Sequence, residues 1–118
     1  MRTVVEVPLF TRLVRGRLSD AAVVALTNYI AFNPDAGDLI EGSGGARKLR
    51  WASSGRGKSG GARIITYWHC EGCPVVLISI YLKNERVNLT MAEIATLKTI
   101  CKELAREHSQ EEDEDDLA

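Results

Sequence analysis

The sequence predicts an α+β domain, with helices before and after a block of meandering, mostly antiparallel strands. Three observations carry this. Apolar residues recur at helical spacing in the first third and again near the C-terminus. Between them lies a region of short apolar or alternating runs that suit strands. Gly, Asp and Pro residues punctuate that region into separate strands. At 118 residues the chain is one domain, long enough to bury a core but too short for two independent ones. The expected layering puts N-terminal helices and a C-terminal helix on one face of a four-stranded sheet, leaving the other face to bind a ligand.

Each element has its own signal. Thr3 to Val7, TVVEV, is β-branched and reads as a first strand closed by Pro8. Leu9, Phe10, Leu13 and Val14 mark a short first helix that breaks near Gly16. Ser19 caps a second helix whose apolar face is Ala22, Val23, Leu26, Tyr29 and Ile30. Asn33-Pro34 ends it. Pro34 to Gly45 is rich in Gly, Asp and Pro and reads as a loop.

Three strands follow, at Ala46 to Ala52, Ala62 to Cys70 and Val75 to Lys83. Alternation puts Lys48 and Arg50 on one face of the first, and Arg47, Leu49 and Trp51 on the other. In the second, Arg63, Ile65, Tyr67 and His69 share a side. Glu71-Gly72 suits a tight hairpin. The third, VVLISIYLK, is continuously apolar, as a central strand covered on both faces would be. The last helix opens on a capping box, Thr90-Met91-Ala92-Glu93, and carries Ile94, Leu97, Ile100, Cys101 and Leu104 as its stripe.

Composition excludes several classes. No apolar run approaches the ~20 residues that cross a bilayer, and MRTVVEVPLF lacks the core and cleavage site of a signal peptide, so no membrane partner and a cytoplasmic location are expected. Cys70, Cys73 and Cys101 are too few for a disulfide framework and agree with a reducing compartment. The net charge of −1 hides an asymmetry, because EEDEDD at 111–116 supplies six negative charges and the remainder carries +5. Residues 1–108 read as the domain and 109–118 as an acidic, unstructured tail.

The basic charge is densest between glycines, in GSGGARKLRWASSGRGKSGG at 42–61. Gly57-Lys58-Ser59 there is not a nucleotide-binding P-loop. That pattern needs glycine where Ala52 stands, and a strand rather than a helix follows. His69-Cys70-x-x-Cys73 offers metal-ligand residue types, but a structural zinc site needs four ligands, and Cys101 and His108 lie on the last helix. No metal is assigned. Lys48, Arg50 and Arg63 converge from adjacent strands and Lys83 sits where the third strand runs out, so four cations can surround one phosphate. Arg56 and Lys58 stand in the glycine-rich loop beside them. Tyr67, on the side of Arg63, suits stacking on an RNA base.

GSGGARKLRW, GRGKSGGARIITYW and IYLKNERVNLTMAEI, with NPDAGDLI before them, resemble the HigB-like branch of the RelE toxin superfamily. The resemblance implies a microbial-ribonuclease-like fold and a toxin of a type II toxin–antitoxin system. Such a toxin enters the ribosomal A site and cuts messenger RNA without metal or other cofactor, the 2′-hydroxyl attacking the adjacent phosphate. By this resemblance Lys48, Arg50, Arg63 and Lys83 are the catalytic candidates, and Arg47, Arg56, Lys58 and Tyr67 the RNA-binding ones. The implied partners are messenger RNA, the ribosome and a cognate antitoxin of the helix-turn-helix, HigA-like kind. Tyr67 or Tyr81 stands in for a tyrosine that the last helix lacks. The alternative is a non-catalytic RNA- or partner-binding module on the same fold.

Overall fold

The computed structural model describes residues 1–52 and 61–117, with side chains through Ser109. The elements run β1 (Val4–Glu6), α1 (Pro8–Val14), α2 (Asp20–Phe32), β2 (Asp38–Leu39), β3 (Arg47–Trp51), β4 (Ala62–Trp68), β5 (Val75–Leu82) and α3 (Met91–Leu117). The α+β class holds. The sheet has five strands rather than four, in the order β1-β5-β4-β3-β2, and is mixed because β1 runs parallel to β5.

The extra strand is β2, which lies inside the stretch read as a loop. Two residues are too few for alternation to show, and Asp38 pairs with Lys48 and Leu39 with Arg47 only once β3 is beside them. Gly37 permits this approach. Its φ of +93 is a region that favours glycine, and a Cβ there would stand 2.6 Å from the carbonyl oxygen of Lys48.

The layering also differs from expectation, since helices cover both faces. On one face Phe10 and Val14 of α1, Leu18, and Leu26 and Ile30 of α2 pack on Ala62, Ile64, Val75, Leu77 and Ile80. On the other, Leu97 and Cys101 of α3 pack on Ile65, Tyr67, Val76 and Ile78. Neighbours along β4 and β5 therefore enter opposite cores, which is why β5 is apolar throughout. Each such fully buried side chain contributes ~1.5–3 kcal/mol. A register shift at Ile65/Thr66 leaves Ile78 as an extra residue on β5, a bulge that keeps both cores filled beyond it.

Local signals hold where the chemistry is local. Ser19 accepts from the Ala22 amide at 3.1 Å. At the start of α3 the Glu93 amide donates to Thr90 Oγ1 at 3.1 Å and the Thr90 amide to Glu93 Oε1 at 2.8 Å, completing the capping box. Tyr29, expected on the buried stripe of α2, is instead 42% exposed and lies against Trp51 with ring centroids 5.3 Å apart.

The hairpin after β4 turns at Gly72, φ +86, with the Cys73 amide donating to the Cys70 carbonyl at 3.0 Å. Against the expectation of reduced thiols, Cys70 and Cys73 are joined in a disulfide across that turn. Cys101 is free and buried, and burial pushes its thiol up to about 11. No helix among the described residues is long and apolar enough to cross a membrane. The acidic run falls in the last turns of α3, where only the backbone is described.

Candidate nucleic-acid interface

Alternation, pairing and the end of β5 bring four cations to one hollow. Lys48 and Arg50 project from the same side of β3, and Arg50 is paired directly with Arg63 of β4. Lys83 follows β5, and its amide donates to the Gly61 carbonyl at 3.1 Å, which ties it to the start of β4. These four, with Asp38, Val87 and Asn88, line a hollow of about 320 Å³. Lys48 and Arg63 are half-buried, while Arg50 and Lys83 are exposed.

The face that carries the hollow is the one that α3 covers elsewhere. Arg63 shares it with Ile65 and Tyr67, and Ile65 and Tyr67 already lie beneath α3. Among the described residues, no ion pair neutralises Lys48, Arg50 or Lys83. Among the described residues the salt bridges run elsewhere, Arg2 to Glu71 and Arg17 to Glu85 each at 2.7 Å, Arg86 to Glu93, and Arg106 to Glu103 at 3.2 Å. A cluster of positive charge attracts polyanions, and its field in a partly enclosed hollow is stronger than in open water.

The other candidates are placed apart. Arg47 is on the opposite face of β3, where Nη1 donates to the Gly37 carbonyl at 3.1 Å and clamps the residue that precedes Asp38 and β2. Arg56 and Lys58 lie outside the described residues. Tyr67 is a correction. It is 6% exposed beneath α3, with its hydroxyl 3.1 Å from His69 Nδ1, so its ring has no face free to stack on a base.

Tyr81 pairs with Arg63 across β4 and β5, but it too is buried, with the Arg86 guanidinium 5.3 Å above its ring. Burial raises its phenol pKa, opposed in part by the nearby Arg63 and Arg86. Neither tyrosine lines the hollow. His69 and His108, with ring centroids 6.1 Å apart, are brought together by α3, and Ser109 Oγ lies 3.2 Å from His69 Nε2. Among the described residues no group of three or more His, Cys, Asp or Glu is arranged to hold a metal ion.

Asp38 is the wall residue that sequence reasoning missed. With β2 unrecognised, nothing placed its carboxylate beside Lys48. Val87 and Asn88 escaped for a similar reason, since they follow β5 in a segment without periodicity.

Comparison with known proteins agrees with this architecture. A family model described as the RelE toxin of the RelE/RelB toxin–antitoxin system matches residues 3–114. The structure is similar to that of a free-state E. coli toxin RelE carrying two arginine-to-alanine substitutions, with a TM-score of 0.54 and 13% identity, over 83% of this chain and 94% of that one. At that identity the structural likeness speaks for the fold.

Proposed function

We propose that this chain, which belongs to the RelE toxin family of RelE/RelB toxin–antitoxin systems, is a ribosome-dependent messenger-RNA endonuclease that arrests translation. The observation that carries the reading is the convergence of Lys48, Arg50, Arg63 and Lys83 on one hollow. Arg50 and Arg63 face each other across a strand pair. Like charges directly opposite one another cost stability, so this arrangement favours a phosphate that relieves the repulsion.

The mechanism assigned to these residues is in-line transfer at phosphorus. Arg63 holds the scissile phosphate, and Lys48 or Arg50 meets the negative charge that builds on its equatorial oxygens in the transition state. Preorganised donors aimed at that charge are typically the largest single contribution to such catalysis, roughly 10²–10³ in rate for each donor removed. Lys83 lies near the departing 5′-oxygen. These cations supply the charge stabilisation without a metal. Arg56 and Lys58 grip flanking messenger or ribosomal RNA, where phosphate contacts position the substrate.

Within the family we place the chain in the HigB-like branch, on the motifs at 42–51, 55–68 and 80–94. A helix-turn-helix antitoxin that covers the basic face is the matching partner. Purified protein added to ribosomes programmed with messenger RNA tests the reading. Wild type cuts in the A site, and Arg63→Ala loses roughly 10²–10³ in rate while still binding the antitoxin. Binding by wild type without cleavage products would instead identify a non-catalytic RNA-binding module.

A further inference from the structure

Among the described residues one carboxylate stands among the cations of the hollow, that of Asp38. We infer that Asp38 accepts the proton of the attacking 2′-hydroxyl, an assignment that rests on the endonuclease reading above. The reaction needs a base, and the other charged walls of the hollow are ammonium or guanidinium groups. A carboxylate is in its accepting form at neutral pH, whereas lysine and arginine side chains are ordinarily protonated there.

Three constraints hold Asp38 where this requires. Its pairing with Lys48 puts the two side chains on the same face, with about 4.5–5.5 Å between Cβ atoms for directly opposed residues. Gly37, φ +93, lets β2 lie against the Lys48 backbone. From the opposite face Arg47 Nη1 holds the Gly37 carbonyl at 3.1 Å.

The charged groups around Asp38 are Lys48 and Arg50 from β3, Arg63 from β4 and Lys83 after β5. Glu41 and Lys98 of α3 lie in the adjoining cleft, which Asp38 and Lys48 also line. Among the described residues Asp38 makes no ion pair. The tyrosines compare poorly as bases. Tyr67 and Tyr81 are 6% and 5% exposed and lie outside the hollow.

In the step itself the 2′-O–H bond breaks and its proton passes to an Asp38 carboxylate oxygen. The freed electron pair forms the bond from the 2′-oxygen to phosphorus. The bond from phosphorus to the 5′-oxygen breaks, and the leaving oxygen takes a proton from Lys83 Nζ. The products are a 2′,3′-cyclic phosphate and a 5′-hydroxyl. Asp38 returns its proton to water and Lys83 regains one, so the enzyme is unchanged.

A purely structural role would make Asp38 a cross-strand partner of Lys48 that fastens β2. Single-turnover cleavage of programmed ribosomes separates the two, using wild type, Asp38→Asn, Asp38→Glu, Asp38→Ala and Arg63→Ala over a range of pH. Proton acceptance predicts a fall of about 10²–10⁴-fold for Asp38→Asn, a flattened pH–rate profile and partial activity in Asp38→Glu. Added formate should restore part of the rate of Asp38→Ala, a rescue that fastening a strand does not predict.

Asp38→Asn cutting within about threefold of wild type, with an unchanged pH profile while Arg63→Ala is inactive, overturns the assignment and leaves the endonuclease standing. Loss in both Asp38→Asn and Asp38→Glu without formate rescue of Asp38→Ala also overturns it, in favour of the structural role. A wild type that does not cut defeats both readings.

Discussion

Arg50 and Arg63 oppose one another directly on neighbouring strands; residue order gave their convergence from adjacent strands, but the register came from the fold. Period-two alternation put Lys48 and Arg50 on one side, and adjacency of the two strands added Arg63. Tyr67 shows where that logic stops. Alternation gives the face but not the depth, and Tyr67, on the correct face, lies under α3 rather than beside the hollow.

Ion pairs between distant residues were equally hidden. Arg86 holds the Glu93 carboxylate, and with the Thr90 amide it lowers that pKa to about 2 from 4.5. Arg17 does the same for Glu85, also to about 2. A carboxylate with a lowered folded-state pKa binds fewer protons than in the unfolded chain. Its stabilising effect is complete above the unfolded value and fades as pH falls through the folded one. Stability should therefore drop on acidification between 4.5 and about 2. In thermal melts over that window, Glu93→Gln should flatten the pH dependence, and a slope identical to wild type would refute the role given to the pair.

At the scale of elements, legibility tracked length and locality. The capping box of α3 and the Ser19 cap depend on residues three apart, and both formed as their sequences require. β2 was illegible because it is two residues long and owes its existence to β3. So was the second core, since helical periodicity reports that α3 has an apolar stripe but not which face of the sheet receives it.

Gly37 carries the consequence for the site. A side chain there meets the Lys48 backbone at 2.6 Å and must also adopt φ +93. Gly37→Ala should cost ~1–3 kcal/mol, read as a lower urea midpoint, and should slow cleavage by displacing Asp38. A midpoint equal to wild type would mean that β2 does not hold the position described.

Taken as a whole molecule, the domain has helices on both sheet faces and leaves open the region where β2 meets β3, where β4 begins and where β5 ends. All four catalytic candidates gather there, with the one carboxylate that the sequence did not bring near them. The family likeness carried by scattered motifs agrees with a family match across residues 3–114. The fold likeness at 13% identity shows that the architecture persists with few shared residues.

The most direct measurement is induction of the chain in bacteria, wild type beside the Lys48→Ala/Arg63→Ala double variant, with transcriptome-wide mapping of messenger-RNA 5′ ends. The account predicts growth arrest and in-frame cuts confined to translated messages, both lost in the double variant. Soluble, folded wild-type protein that causes neither arrest nor cuts would contradict it.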